Sequence, residues 1–321
     1  MAYPFKLLRS ASAAGIACAV FGFLALPAMA QDTNPDPDED EIVVQGVLEV
    51  DGVGSRRQAR DITQRLGSTS EPLARWQRPI CAGVWGLTEE NASLVINRIY
   101  DVAEIAGLMV DSTEACGANV WVIVVDDPAA TFESLRDDNN WMVRGLGRSE
   151  RNRVERQTGA VRAWNIASYR DENGNAVRTG FDAVGDNQIA QQTNGNAGGA
   201  PVVQSSAMSR LRTAVRLDID MSVVLIQRSA IGEFDAITIG DYAAMRALAR
   251  TQEPSREGPY GTILTVFEDD LSPHRITAFD RAYLRSLNQG SAHRPGTRAM
   301  ASFDELMEEE LLREAGQLLN E

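Results

Sequence analysis

One stretch, Cys81 to Asp127, most strongly constrains what this chain can fold into, because it joins an amphipathic helix to a continuous apolar run. Thr88 is a favourable N-cap residue, and Gly107 can end the helix that begins there. Between them, apolar residues recur at helical spacing, which predicts one buried face: Leu94, Val95, Ile99, Val102, Ala103 and Ala106. Val120 to Val125 is mostly β-branched and predicts a strand covered on both faces. We expect this helix and this strand to pack together.

The same stretch contains a candidate disulfide. Cys81 lies just before the helix and Cys116 just before the strand, so a bridge between them would tie both ends of this unit together. Closing a loop of this size stabilises a fold by about 3 to 4 kcal/mol in an oxidising compartment. The alternative is two free thiols. Because the only other cysteine, Cys18, lies in a predicted export signal, the disulfide is favoured.

The N-terminus has the pattern of a secretory signal peptide over residues 1–30. Lys6 and Arg9 precede the apolar residues 11–27, and Ala28-Met29-Ala30 supplies the small residues that signal peptidase requires. No later apolar run reaches the roughly 18 residues that span a bilayer. The sequence therefore predicts an exported, periplasmic protein that does not span the membrane, and it leaves outer-membrane association or secretion open.

The composition excludes several classes of function. The formal net charge is −14, or −16 once Lys6 and Arg9 are removed with the signal, which disfavours nucleic acid as a partner. Lys6 is also the only lysine, so the mature chain has no Schiff-base or P-loop lysine. No cofactor and no metal are expected. His274 and His293 lie in polar, Pro-flanked segments and are predicted to be surface loop residues.

The tether that follows the signal contains a candidate binding motif. Residues 31–40 are acidic and lack apolar side chains, which predicts disorder. The next hexapeptide resembles the TonB box of TonB-dependent outer-membrane receptors, and it consists of Glu41, Ile42, Val43, Val44, Gln45 and Gly46. The resemblance implies strand addition to TonB or to another envelope protein. The chain departs from the receptor pattern after it, since no plug or large barrel can follow. Alternatively, Ile42 to Val50 forms the first strand of the domain.

The remaining organisation is predicted from periodicity. Ser55 to Leu66 is expected to form a helix with a basic face, either a solvated linker or a docking surface for an acidic partner. We place the start of the α+β globular domain near Leu73, so that residues 31–72 form the tether and residues 73–290 the domain. Residues 291–321 are predicted to contain a C-terminal amphipathic helix, either packed on the domain or offered to a partner.

Two polar segments invite functional interpretations. Asp127 can cap a helix that starts at Pro128, while Asp126 and Asp127 could also line a ligand site at the end of a strand. Asp171-Glu172-Asn173-Gly174-Asn175 predicts a hairpin turn and matches a calcium loop only poorly, because Ala176 replaces the required glycine. Gly185 to Gly199 is a long polar loop, either a binding flap or an insertion.

The C-terminal part carries a second resemblance. Ile239 to Arg250, Thr262 to Phe267 and Ile276 to Leu287 together resemble the C-terminal part of uncharacterised exported bacterial proteins, some of them distantly similar to zincin-type metallopeptidases. A zincin helix would carry His-Glu-x-x-His. Ile239 to Met245 contains no histidine, so the resemblance implies a fold without its metal site.

The sequence predicts an α+β fold with a single mixed sheet flanked by helices, and two hypotheses for function. The first is a non-enzymatic cell-envelope protein that acts by binding. The second is a hydrolase with a degenerate zincin-like or carboxylate-based site. The second hypothesis predicts a concave pocket lined by several convergent carboxylates or by a histidine. The candidate carboxylates for such a pocket are those of Asp126, Asp218, Asp220 and Asp241.

Overall fold

The structure, a computed structural model, describes residues 50–65, 71–177, 209, 211–268 and 271–318. All of them belong to one compact unit, Val47–Glu321, which is distinct from Met1–Gly46. The predicted signal peptide, acidic tether and TonB-box-like hexapeptide lie outside the described residues, as does the loop from Gly185 to Gly199.

A four-stranded mixed sheet forms the centre of the fold. Its strands are β1 (Ala82–Trp85), β2 (Val120–Val125), β3 (Val161–Arg170) and β4 (Arg216–Gln227), in the spatial order β1-β2-β4-β3. β1, β2 and β4 are parallel, whereas β3 pairs antiparallel with β4. This arrangement confirms the predicted α+β class with a single mixed sheet.

Helices lie on both faces of the sheet. They are α1 (Gly52–Ile62), α2 (Glu89–Ile105), α3 (Pro128–Asp137), α4 (Trp141–Arg144), α5 (Arg148–Glu155), α6 (Ala236–Ala247), α7 (Ala278–Asn288) and α8 (Phe303–Leu318). α2 and α6 pack together over the larger hydrophobic core, while α3 to α5 cover part of the opposite face. Within the part of the chain that the structure describes, no helix combines the length and apolar character that a membrane crossing requires.

Local capping explains where two of these helices begin. The Thr88 side chain accepts a hydrogen bond from the Asn91 amide, and Gly107 adopts a φ of +75° directly after the C-cap of α2. Asp127 caps α3 by accepting from the amides of Ala129 and Ala130 at 2.8 and 3.0 Å. The predicted capping roles of Thr88 and Asp127 are confirmed.

The first helix belongs to the same compact unit as the sheet. Ala59 and Ile62 of α1 are only 2% and 0% exposed in the larger core, and Arg56 forms an ion pair with Asp304 of α8 at 2.6 Å. The boundary expected near Leu73 would have separated α1 from this core. The helix packs there because Ala59 and Ile62 face inward while its arginines face outward.

The turn after β3 has the expected geometry, but the main partner of β3 is distant in sequence. Gly174 adopts a φ of +83°, and the Asp171 carboxylate accepts from the amides of Asn173 and Asn175. Val177 then pairs with Tyr169, and residues 178–181 of the predicted hairpin lie outside the described residues. Along its length, β3 pairs with β4.

Candidate functional site

The four aspartates that a carboxylate-based site required are held by different arginines. Asp126 pairs with Arg228 at the end of β2, and Asp241 pairs with Arg98 between α6 and α2. Asp218 and Asp220 both lie on β4. Asp218 pairs with Arg216, and Asp220 pairs with Arg170 and Arg78. Burial raises the pKa of Asp218, with a smaller contribution from Asp220.

The disulfide between Cys81 and Cys116 is present and holds the start of β1 against the segment before β2. The S–S distance is 2.03 Å and the Cα–Cα distance 6.0 Å. The Cys81 amide also donates to the Asn119 side chain at 2.9 Å, and its carbonyl accepts from the Val120 amide. The N-terminal end of β1 is therefore fixed covalently and by hydrogen bonds next to β2.

β1 is an edge strand, and only part of its outer side is occupied by other groups. The Ala82 amide donates to the Tyr100 hydroxyl at 3.2 Å, which shows that it points away from β2. Because the direction of main-chain groups alternates along a strand, the N–H and C=O of Val84 face the same outer side. An isolated bridge between Ile80 and Val110 ends just before this point. Among the described strands, none pairs with the outer side of β1.

Three of the five tryptophans of the chain lie beside this edge. Trp85, the last residue of β1, is 71% exposed and Trp141 of α4 is 49% exposed. The ring of Trp121, on β2, meets that of Trp141 edge-to-face at 6.0 Å. We call the outer side of β1 together with Trp85, Trp121 and Trp141 the tryptophan edge. An exposed aromatic group of this size is typical of a contact surface rather than of a solvated face.

Gly83 explains how the tryptophan ring reaches the edge strand. A Cβ atom at Gly83 would lie 3.0 Å from Cζ3 of Trp121 and 3.2 Å from the Cβ of Ala118. The indole of Trp121 therefore lies across the backbone of β1, where glycine leaves room for it. The strand β2 was expected to be covered on both faces. Instead, its Trp121, Ile123 and Val125 are only partly buried, since α3 to α5 pack mainly over β3 and β4.

The carboxyl end of the tryptophan edge is acidic. Glu89 and Glu90 follow Trp85 in the first turn of α2, and Asp126 and Asp127 follow the neighbouring strand β2, and all four are exposed. Arg228 lies among them, and it donates to Asp126 and to the carbonyls of Gly86 and Val124. This acidic rim, Glu89, Glu90, Asp126 and Asp127, gives the surface a negative end next to its most exposed aromatic ring.

The geometry supports strand addition as the chemistry of this surface. An extended segment can pair with the outward N–H and C=O groups of β1 while its side chains pack on Trp85 and Trp121.

Comparisons with protein-family models, with curated proteins and with solved structures returned no match. The sequence signalled Val120–Val125 as a strand, but the exposed tryptophans were missed because each is separated from the others by many residues.

A separate cleft contains an acid–base candidate. It has a volume of about 570 Å³ and is lined by Glu268, by Thr265 and by the loop 254–262. Burial and the negative charge of Glu253 raise the pKa of the Glu268 carboxyl group. Glu253 in turn accepts from the Tyr242 hydroxyl at 3.3 Å. In the described ranges, no three His, Cys, Asp or Glu side chains are placed to hold a metal ion.

The histidines differ from each other in exposure. His274 is exposed, as predicted for a loop residue. His293 is 6% exposed, and its Nδ1 lies 3.1 Å from the Thr213 carbonyl oxygen. The expectation of a surface position was therefore wrong for His293, because a polar, Pro-flanked segment can still fold back onto a neighbouring chain segment.

Proposed function

We infer that this chain is an exported cell-envelope protein that acts by binding another protein, and that the tryptophan edge is its binding surface. The observation that carries this proposal is the combination of an unpaired edge strand with three clustered tryptophans, one of them 71% exposed. The signal-peptide pattern supports export, and the disulfide suits an oxidising compartment such as the periplasm.

The partner presents an extended segment that is apolar on one side and basic near one end. Apolar side chains suit the rings of Trp85 and Trp121, and Lys or Arg suits the acidic rim. Main-chain hydrogen bonds to Val84 supply affinity that does not depend on the partner's side chains. The partner's segment therefore needs an extended conformation above all, and a basic end is its second requirement.

A short capped peptide that alternates valine and lysine tests this surface. We expect saturable quenching of tryptophan fluorescence, and at least about tenfold weaker binding of the Trp85→Ser variant, because a buried aromatic anchor contributes over about 1 kcal/mol. The matched control is Leu312→Ser, which removes another exposed apolar side chain, 55% exposed on α8.

Two further changes separate strand pairing from charge attraction. Val84→Pro removes an outward N–H and leaves the hydrogen bonds to β2 in place, so it should block the peptide without unfolding the sheet. A peptide of the same charge with one valine replaced by proline should also fail to bind. Equal binding of both peptides would show that attraction to the acidic rim alone is at work.

The hexapeptide Glu41–Gly46 is proposed as a second binding element, for TonB or another envelope protein. Its support is the resemblance to a TonB box and the division of the chain directly after Gly46. Deleting residues 31–46 should abolish binding of the purified C-terminal domain of TonB in calorimetry, while circular dichroism and the melting temperature stay unchanged. Undiminished binding by the deletion variant would exclude the hexapeptide as the contact.

The Glu268 cleft supports a hydrolase as the second candidate function. Glu268 lines this cavity, and burial together with the negative charge of Glu253 raises the pKa of its carboxyl group, which suits a general acid. If the cleft is catalytic, Glu268→Gln abolishes any hydrolytic activity found with a panel of glycoside and ester substrates while the melting temperature is kept. Activity that survives this substitution would place the chemistry elsewhere.

A further inference from the structure

A cleft beside α5 combines features that attract an anion. Its volume is about 280 Å³, and it is lined by the loop 145–147, the first turn of α5, residues 165–167, Tyr169 and Arg250. It lies apart from the tryptophan edge and from the Glu268 cleft, with which it shares no lining residue. A cavity of this size accommodates a small ligand.

The first turn of α5 leaves its amides available. The N-cap residue is Gly147, which has no side chain to accept from them, and Arg151 is the first residue whose amide bonds back to Gly147. The amides of Arg148, Ser149 and Glu150 therefore point out of the positive end of an eight-residue helix. Such a helix start binds phosphate or another oxyanion when a second cationic group lies near it.

Arg250 supplies that second group. Its side chain is only 4% exposed, yet it donates to a single carboxylate, that of Glu150, and its Nε has no acceptor. Glu150 also lines the cleft, but its carboxylate is shared between Arg250 and Arg153, which leaves this group of three with a net positive charge. Burial lowers the pKa of Arg250, and the ion pair with Glu150 opposes this change.

The sequence that contains α5 is rich in arginine, which also favours an anion. This acidic chain, with a net charge of −14, concentrates five arginines within residues 144–156 against two glutamates. The arginines are Arg144, Arg148, Arg151, Arg153 and Arg156. Of these five, Arg148 lines the cleft, and a local excess of positive charge favours an anion there.

We propose that the cleft beside α5 binds a small phosphate oxyanion, held by the amides of Ser149 and Glu150, the Ser149 hydroxyl and Arg250. Tetrahedral oxyanions suit this set because several N–H and O–H donors converge on a cationic group. The source is either free phosphate or a phosphate ester, and the cleft has space beyond the oxyanion for a small substituent.

Gly147→Asp tests the site without damaging the fold. Gly147 has a φ of −66°, and a Cβ atom there meets nothing within 4 Å, so an aspartate fits and caps α5 with its own carboxylate. The intact exported protein is titrated with inorganic phosphate at constant ionic strength, and the amide resonances of residues 147–150 are followed. Wild type should show saturable shifts, whereas Gly147→Asp should bind at least about tenfold more weakly and melt at a higher temperature.

Gly232→Asp is the matched control for charge. Gly232 is exposed and also has open space around its Cβ position, so this variant adds the same charge elsewhere and should bind phosphate like wild type. Arg250→Gln should weaken binding by about tenfold or more. A parallel titration with glycerol 3-phosphate identifies the source, since tighter binding than phosphate indicates an ester. Absence of saturable shifts in wild type, or unchanged binding by Gly147→Asp, would overturn the proposal.

Discussion

At the scale of single residues, buried charges in this protein are held by groups that are distant in sequence. Asp241 is fully buried and accepts from Arg98 of α2 and from the Ile276 amide before α7. Asp280 is fully buried as well, and it accepts from the Thr262 hydroxyl at 2.6 Å and from the Ile263 amide at 2.8 Å. Asp241 thereby holds two segments of the chain against α6, and Asp280 holds one segment against α7.

Asp280 should make the stability of the fold depend on pH. Burial raises its pKa from 3.8 to about 6, although hydrogen bonds from Thr262 and Ile263 oppose the rise. The folded state therefore binds a proton more tightly than the unfolded state. The stabilisation that results from proton binding by Asp280 is complete below about pH 3.8. It is lost as the pH rises through about 6, which lowers the free energy of unfolding by about 3 kcal/mol.

The measurement is the free energy of unfolding in urea between pH 4 and pH 7, for wild type and Asp280→Asn. Asparagine cannot titrate, so the decrease between these pH values should be smaller in the variant, whatever the variant's overall loss of stability. Parallel curves for the two proteins would show that Asp280 does not titrate in this range.

Residue-level prediction from sequence succeeded where the partner is local. Thr88 and Asp127 were identified as caps because their side-chain oxygens accept hydrogen bonds from amides only two or three residues later in the chain. The partners of Asp126 and Asp241 could not be identified, since Arg228 and Arg98 are more than a hundred residues away. The open amides of α5 were missed because a glycine N-cap leaves only a weak signal.

At the scale of elements, the last helix is attached by one buried glutamate. Glu310 of α8 is 0% exposed and accepts from Arg281 and Arg285 of α7 and from Arg313 of its own helix. Apolar residues beside it, Phe303 among them, complete the contact with the larger core. The predicted amphipathic helix is therefore packed on the domain.

Glu310→Ala should destabilise the protein by about 3 to 5 kcal/mol, because three arginines lose their shared buried acceptor. Glu308→Ala is the matched control, since Glu308 is exposed on the same helix and should change stability by less than about 0.5 kcal/mol. Urea unfolding of both variants measures the difference. If both variants lose a similar amount of stability, the ion pairs of Glu310 only offset the cost of removing these charges from water.

The disulfide should contribute about 3 to 4 kcal/mol, since it closes a loop with a sequence separation of 35 residues. The double substitution of Cys81 and Cys116 by alanine removes it, and the comparison is with wild type under oxidising conditions. Under reducing conditions the two proteins should have nearly the same stability. A difference that persists after reduction would point to packing of the sulfur atoms instead.

Elements were predicted well when hydrophobic periodicity was strong, and poorly when their role depended on neighbours. α2, β2 and β4 follow directly from apolar patterns, and the disulfide follows from the cysteine positions. The burial of α1 and the pairing of β3 with β4 depend on contacts between distant segments, which a local pattern does not contain.

At the scale of the whole molecule, covering helices are distributed unevenly over the sheet. α2 and α6 cover one face, whereas α3 to α5 leave the β1 side of the other face open. That gap is what exposes the three tryptophans at the edge of an otherwise well-packed protein. The class of fold could be predicted from the sequence, but this gap could not, because it results from where α3 to α5 end.

Hydrogen–deuterium exchange of the intact protein, measured with and without the valine–lysine peptide, is the sharpest test of the binding role of the tryptophan edge. We expect the amide of Val84 to exchange quickly in the free protein and to become protected when the peptide binds, with little change in β3 at the opposite edge of the sheet. Protection confined to other segments, or equal protection of both edges, would contradict it.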